Sequence, residues 1–590
     1  MGFGRGDYYV GQRKRRGAAM PVFMSVAVLA AAVVSFIMLR PTVRGTVIDA
    51  YSGEPLGGVT LVLGGQTATT DSRGKFTLEP VNEPAALVAR PAPGHAGAEQ
   101  PIKPGTHRNV TVALRPSVLS GAITHRATGA PLPGITVRAV NDAGATSSEA
   151  VTDGEGRYSL TGVPDDARLV VEGPGFARKE IAIGARAGFD LELRPDILTG
   201  VVRDPAGKAV PGVTVSMTGV SAVTGADGAY RLAAIPDEPR VVAHAPGYRR
   251  QAKDLGGGLT QDFTLEPLVV KGIYLTPESI LKEDKFNALL ALADRTEINA
   301  MVLDVKDETG WLYHDSKVPL AREIGAVHPS YDLRGRLKVL KERGIYTIAR
   351  IVCMQDPTLA QKRPEWAVRN STTGGIWEND NGVAWVNAMR PEVWDYNIQV
   401  AVEMAEMGFD EIQYDYVRFP SDGDMDAIDV GGDFSRKART DAIHNFLAKT
   451  KGALAPYGVP LAADIFGIAL WDEGDNGIGQ QLEKIAAVVD YICPMIYPSH
   501  FSKGSLGFER PNDHPYEVLL QTLEAGGDRV PGVKTKLRPW LQDFSYGQGK
   551  KYGPDEIRAQ IQATYDFGAT GWLLWNANNT FTEAGLLPQQ

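Results

Sequence analysis

Three textures of apolar and polar residues follow one another along the chain. The first is a run without a charged residue, Ala18 to Leu39. At about 1.5 Å per residue a helix there spans roughly 33 Å, enough to cross a bilayer. Arg13, Lys14, Arg15 and Arg16 precede the run, and only Arg40 follows it directly. That asymmetry predicts a cytoplasmic N-terminus with the bulk of the chain on the far side of the membrane. A cleaved signal peptide is the alternative. It usually has a shorter apolar region and a small-residue cleavage site, and no convincing site follows Leu39, so an uncleaved single-pass anchor is expected.

The second texture, from Pro41 to about Leu268, consists of short period-2 strands and repeats three times. The units open at Gly45-Thr46-Val47, Gly121-Ala122-Ile123 and Gly200-Val201-Val202. Each continues through a Pro-containing turn into an alternating strand: Pro55 to Val59, Pro133 to Val137, Pro211 to Val215. A turn before a further strand comes next, at Asp71-Ser72-Arg73-Gly74, Asp153-Gly154-Glu155-Gly156 and Ala226-Asp227-Gly228. A Pro-Gly pair and a ring follow, at Pro93-Gly94-His95, Pro174-Gly175-Phe176 and Pro246-Gly247-Tyr248. Strands punctuated this way predict one small β-sandwich per unit, the glycines supplying the positive φ that such turns need. The acidic turn residues read as turn formers, not calcium ligands. The pattern resembles carboxypeptidase regulatory-like domains, the transthyretin-like sandwich, which implies spacers or docking surfaces for envelope partners.

After Pro267 longer apolar runs alternate with amphipathic stretches, the mark of a parallel α/β arrangement. Eight strands are predicted: Lys271–Thr276, Ala300–Asp307, Tyr346–Met354, Glu411–Phe419, Leu461–Gly467, Tyr491–Pro498, Leu537–Phe544 and Gly571–Asn578. Helical spacing marks Glu392–Met407, Arg436–Leu454, Gln480–Val489 and Pro554–Phe567. Eight β-α units predict a (β/α)8 TIM barrel. A doubly wound sheet would want a glycine-rich phosphate loop after the first strand, where Leu275-Thr276-Pro277-Glu278 stands instead. The expected organisation is a cytoplasmic tail (1–17), a transmembrane helix (18–39), β-sandwich repeats (41–116, 117–195, 196–268) and a barrel (269–590).

Composition narrows the function classes. A net charge of −9 without a long basic block past the N-terminus argues against nucleic acid as partner. The two cysteines, Cys353 and Cys493, fall in apolar strand runs and are expected to be buried thiols. The barrel's histidines are scattered, so no metal site or other cofactor is expected, and no Gly-x-Ser-x-Gly elbow or P-loop occurs.

Chemistry in a TIM barrel sits at the C-terminal strand ends, and polar residues crowd those ends here. Hydrolysis of a glycosidic bond needs two carboxyl groups across the anomeric carbon. Asp415 and Asp464 end neighbouring strands about 4.8 Å apart. Asp415 is the expected nucleophile or stabilising carboxylate, and Asp464 the general acid/base, which requires a raised pKa. Asp304, Asp307, Glu308 and Asp543 compete for these roles. Asp304, Lys306, Arg350 and Arg418 are expected at the substrate, the cations holding carboxylates ionised or binding an acidic sugar. Tyr497, Trp540 and Trp575 could stack on pyranose faces, and Gln542 and Asn576 suit hydroxyl groups. A bland reading competes, in which the aspartates only pair with Arg350, Arg418 or Lys306 in a buried network.

The stretch from Gly272 to about Asn579 resembles a family named the putative glycoside hydrolase domain, related to amylase-like TIM-barrel glycosidases. The motifs are Leu303-Asp304-Val305-Lys306-Asp307, Gln413 to Pro420, Pro494-Met495-Ile496-Tyr497-Pro498 and Pro539 to Phe544. The resemblance implies that Asp415, on strand 4, is the nucleophile. In amylase-like barrels the strand-5 acid is a glutamate, where this chain has the shorter Asp464. The expected function is a membrane-anchored, extracytoplasmic glycoside hydrolase acting on an envelope or extracellular polysaccharide. The alternatives are a non-catalytic carbohydrate-binding scaffold and a hydrolase of another bond, such as a deacetylase.

Overall fold

The computed structural model describes residues 42–589, apart from 106, 127, 165–166, 185, 237–239, 256–259 and 547–548. The predicted tail and membrane helix lie outside the described residues. Among the described residues no helix is long and apolar enough to cross a membrane. Two compact units divide at Arg194/Pro195. The first holds two sandwich-like repeats, the second a third repeat and the barrel.

All three repeats share one topology. In the first, Lys75–Leu78, Val43–Asp49 and His107–Leu114 form a three-stranded sheet, and Gln66–Thr69, Thr60–Leu63, Ala85–Ala89 and Ala98–Ile102 a four-stranded one. Alternation buries one face of each strand, as at Phe76 and Leu78, against the facing sheet. The opening glycines are required by close approach. A Cβ at Gly45, Gly121 or Gly200 would lie 2.0 Å from the carbonyl oxygen of Val110, Phe189 or Gln261. A threonine recurs at the sandwich seam. The hydroxyls of Thr70, Thr152 and Thr224 donate to the carbonyls of Leu56, Leu132 and Val210, and accept from the amides of Val59, Ile135 and Val213. The turn aspartates act as turn formers: Asp71 and Asp153 each accept two backbone amides within their own loops.

The barrel closes from eight parallel strands: β1 Val270–Leu275, β2 Ala300–Lys306, β3 Tyr346–Val352, β4 Glu411–Asp415, β5 Leu461–Phe466, β6 Tyr491–Ile496, β7 Trp540–Gln542 and β8 Gly571–Trp575. The longer helices around it are α1 Glu283–Arg295, α2 Leu333–Glu342, α3 Pro391–Met407, α4 Arg436–Leu454, α5 Pro515–Arg529 and α6 Pro554–Phe567. Both strand faces are buried. Outward residues such as Ile273, Ile351 and Ile412 join the helix layer, while Tyr274, Val302, Ile348, Ala462 and Leu573 fill the lumen. Cys353 and Cys493 are buried free thiols.

Several elements are shorter than expected, among them one strand and one helix. β4 stops at Asp415 because Tyr416 turns to φ 50°, which breaks the extended run. The helix expected over 480–489 contracts to Leu482–Ala486. The third sandwich docks at the N-terminal ends of the barrel strands. Arg250 Nη1 donates to Tyr457 O (2.7 Å) and Ser216 Oγ to Ala455 O (3.3 Å), just before β5. Gly247 N donates to the Tyr491 hydroxyl at the start of β6 (3.3 Å). The C-terminal mouth, where TIM barrels do chemistry, faces away from this contact.

Candidate active site

Strand register brings the polar residues together. Asp304 on β2 pairs with Arg350 on β3, and Val352 on β3 with Asp415 on β4. Tyr414 on β4 pairs with Ala463 on β5, so Asp415 and Asp464 follow one step later on adjacent strands.

Arg350 is the hub. Its Nε and Nη2 donate to Asp415 Oδ2 at 3.0 and 2.6 Å, and its Nη1 to Asp304 Oδ1 at 2.5 Å. The Tyr274 hydroxyl donates to the other Asp304 oxygen. The guanidinium lies 5.5 Å from the Tyr274 ring and 5.3 Å from that of Trp575, and those two rings stack at 4.1 Å. Asp415 also accepts the Tyr416 amide on Oδ1 at 2.6 Å. Tyr416 holds a left-handed conformation that costs a bulky residue of order 1 kcal/mol or more. Its strain sits directly after the central carboxylate. Asp415 is 5% exposed, so it reaches the mouth but only just.

Asp464 has the opposite environment. It is 1% exposed; Trp540 Nε1 donates to Oδ1 at 2.9 Å, and Oδ2 has no hydrogen-bond partner. Burial, and after it the negative charge of Asp415, hold its carboxyl well above the usual aspartate range. Burial there disfavours the charged form of this carboxyl. Glu308 lies on the other side of the hub, its carboxylate 3.9 Å from Arg350 Nη1 and its side chain 51% exposed.

Residues 272–581 match the family model described as "Putative glycosyl hydrolase domain". The chain belongs to this family. Residues 42–115, 118–195 and 197–266 each match the carboxypeptidase regulatory-like domain. No curated protein matches the chain. Among solved structures, a hypothetical protein from Ruminiclostridium thermocellum is 37% identical, covering 32% of this chain and 96% of its own, with a TM-score of 0.30. The glycoside hydrolase domain of PgaB (BpsB) from Bordetella bronchiseptica is 13% identical, covering 53% and 95%, with a TM-score of 0.42. The spore cortex-lytic enzyme SleL of Bacillus megaterium is 12% identical, covering 55% and 75%, with a TM-score of 0.33.

Within this glycosyl hydrolase domain several predicted substrate contacts stand elsewhere. Lys306 is fully buried and points away from the lumen: its Nζ donates to Val352 O (2.9 Å) and Asn397 Oδ1 (3.1 Å) and pairs with Asp356 (2.7 Å). The cause is a bulge. The β2–β3 register slips between Asp304 and Lys306, so Lys306 pairs with outward-facing Ile351 and takes the helix side. Gln542 is also sealed, its amide donating to Phe544 O (2.9 Å) and accepting Ser499 N (3.1 Å). Asn576 spends its amide on the carbonyls of Asp543 and Thr580 (2.6 and 2.7 Å), shaping the loop after β8. Trp540 is buried beneath the site. Asp304 and Arg350 are nearly sealed as well, and Arg350 braces Asp415 from below.

Arg418, Tyr497 and Trp575 remain at the mouth. Tyr497 sits edge-on to Phe544 (5.6 Å) and His500 (5.5 Å), and His500 meets the exposed ring of Tyr546 (5.3 Å), together an aromatic wall. A cleft of about 660 Å³ is lined by Thr276, Asp307, Tyr313, Ser330, Asn578 and Thr580 among others, and neither Asp415 nor Asp464 lines it. Asp307 and Asp543 are held by hydroxyls: Tyr313 and Thr309 donate to Asp307, Thr582 to Asp543. Among the described residues no three His, Cys, Asp or Glu side chains converge as a metal-binding group. Tyr274 escaped sequence reasoning. Its signal was period-2 spacing from Gly272, which points both residues into the lumen.

Proposed function

We propose that the barrel hydrolyses the glycosidic bonds of a polysaccharide, with Asp415 as the anionic carboxylate and Asp464 as the protonated partner. The observation that carries this is the opposed pair of environments on adjacent strand ends. Asp415 receives three N–H donors, two of them from a guanidinium. Asp464 is buried without a cation in hydrogen-bond contact, and burial raises its carboxyl well above the usual aspartate range. A guanidinium-bound carboxylate beside a carboxyl whose pKa is raised is the arrangement that acid/base cleavage of an acetal uses. The aromatic wall at Tyr497, Phe544 and Tyr546 suits the apolar faces of sugar rings.

A second assignment of the acid rests on exposure. Glu308 is half exposed across the same hub, whereas Asp464 is sealed, so Glu308 is better placed to reach a leaving-group oxygen and Asp464 to tune Asp415 from beneath. A polysaccharide panel assayed with wild type, Asp415→Asn, Asp464→Asn and Glu308→Gln tests both. Asp415→Asn is expected to lose at least about 10³-fold in kcat/KM. Turnover that survives in Asp415→Asn removes the hydrolase reading.

The chain is also proposed to be anchored by residues 18–39 with its bulk extracytoplasmic, the three sandwiches acting as spacers. The charge-free run and its flanking cations support this. Carbonate-resistant membrane association, lost on deletion of residues 1–40, is the expected result. Release of the intact chain by carbonate refutes it.

A further inference from the structure

Arg418 is buried to 7% exposure, yet among the described residues no carboxylate lies within ion-pair distance of it. The other deeply buried guanidinium groups are matched: Arg350 by Asp304 and Asp415, Arg538 by Glu411. A buried cation without a partner is costly, of order several kcal/mol before relaxation. Three rings offset part of that cost, Trp385 at 4.8 Å, Tyr416 at 4.9 Å and Phe466 at 4.7 Å from the guanidinium carbon.

The distribution of its donors is informative. Nη1 donates to Phe419 O (3.0 Å) and Ser421 Oγ (3.1 Å). Nε and Nη2 make no hydrogen bond, and neither is among the polar atoms sealed from solvent without a partner. The Nε/Nη2 edge, which presents two parallel N–H groups, therefore stays open. That edge is the fork to which a carboxylate binds through both oxygens. It stands at the mouth, in contact with the Tyr416 ring, three residues after Asp415.

We infer that the open edge of Arg418 binds a carboxylate of the substrate, so that the glycan cut at Asp415 is an acidic one. This rests on the hydrolase reading for the cut, though not for the binding. The ring walls fix the guanidinium plane, and a carboxylate on a sugar held there brings that sugar beside Asp415. A neutral sugar would leave the cation unmatched. Two glycan chemistries carry such a group: the C6 carboxylate of a uronate and the lactyl carboxylate of a muramate-type sugar.

The test is calorimetric titration of the full-length chain carrying Asp415→Asn, which slows turnover. Probes are uronate oligosaccharides in one arm and muramate-bearing glycan strands in the other, each beside its carboxyl-reduced counterpart. At least one acidic form is expected to bind roughly 10–100-fold more tightly than its reduced partner, as hydrogen bonds to a charged group imply. Adding Arg418→Gln should abolish the difference. Arg418→Lys, which keeps the charge but loses the fork, should retain a fraction of it and guards against misfolding of the first variant. Equal binding of acidic and reduced forms, a preference unchanged by Arg418→Gln, or no binding of any acidic probe overturns the inference. Hydrolysis by wild type is read separately. A carboxylate preference without turnover sinks the hydrolase reading alone, and turnover of neutral glycans without preference sinks this inference alone.

Discussion

Arg350 holds Asp415 and Asp304 at once, its Nε and Nη2 on Asp415 Oδ2 and its Nη1 on Asp304 Oδ1. One guanidinium on β3 thereby bridges buried carboxyls on the strands to either side of it. The central carboxylate of the site is accordingly tied to the stability of the barrel.

Replacing that cation should show the tie. Arg350→Met leaves two buried carboxyls without their guanidinium, and losing one partner of such a network typically costs about 3–5 kcal/mol. Chemical denaturation is expected to show a loss of that size. A change under about 1 kcal/mol means the network is not stabilised through Arg350.

The raised pKa of Asp464 sets a pH signature. Its folded-state pKa lies above the unfolded value, so the neutral form's contribution to stability is complete below the usual aspartate range and is lost as pH rises through the folded pKa. Stability should therefore fall as pH rises through that window, and Asp464→Asn should flatten the slope. If Asp464 is also the acid, the alkaline limb of kcat/KM disappears in Asp464→Asn. If Glu308 is the acid, Glu308→Gln lowers kcat more than Asp464→Asn does.

Lys306 separates structure from chemistry. Lys306→Met leaves Asp356 buried without its cation, between β3 and α3, and is expected to destabilise by about 3–5 kcal/mol. KM per folded molecule should stay unchanged, because the side chain lies on the helix side of the strand. A raised KM with unchanged stability contradicts the bulge geometry.

In the third sandwich, Gly200→Ala puts a methyl 2.0 Å from Gln261 O, against backbone that cannot rotate away. Overpacking of this kind costs about 1–3 kcal/mol. Thermal denaturation of wild type and variant checks it, and an unchanged midpoint would show that the parallel pairing of 197–203 with 263–264 is looser than described.

Much of the architecture was legible because it follows from short-range periodicity. Period-2 alternation marked the sandwich strands, the recurring Gly, Asp and Pro positions marked the repeats, and alternating apolar runs and amphipathic helices marked the barrel. The site was legible only in part. Asp415 and Asp464 were predicted as neighbours on adjacent strands, which the register gives directly. Lys306 was misplaced because spacing alone puts it on the same face as Asp304, and a single bulged residue reverses the face. Gln542 and Asn576 were expected to meet hydroxyl groups, but nearby carbonyls take up their amides.

By itself the amino-acid sequence determined the order of elements, the threefold repeat, the eight-strand closure and the set of polar residues gathered at the strand ends. All of these depend on patterns a few residues long, or on counting them. Only the tertiary structure decided which carboxyl is tied to a guanidinium, which is sealed with one oxygen unpartnered, and that Arg418 keeps an open edge. Charge state and accessibility depend on neighbours from strands far apart in the chain, and on the low dielectric that burial creates around them.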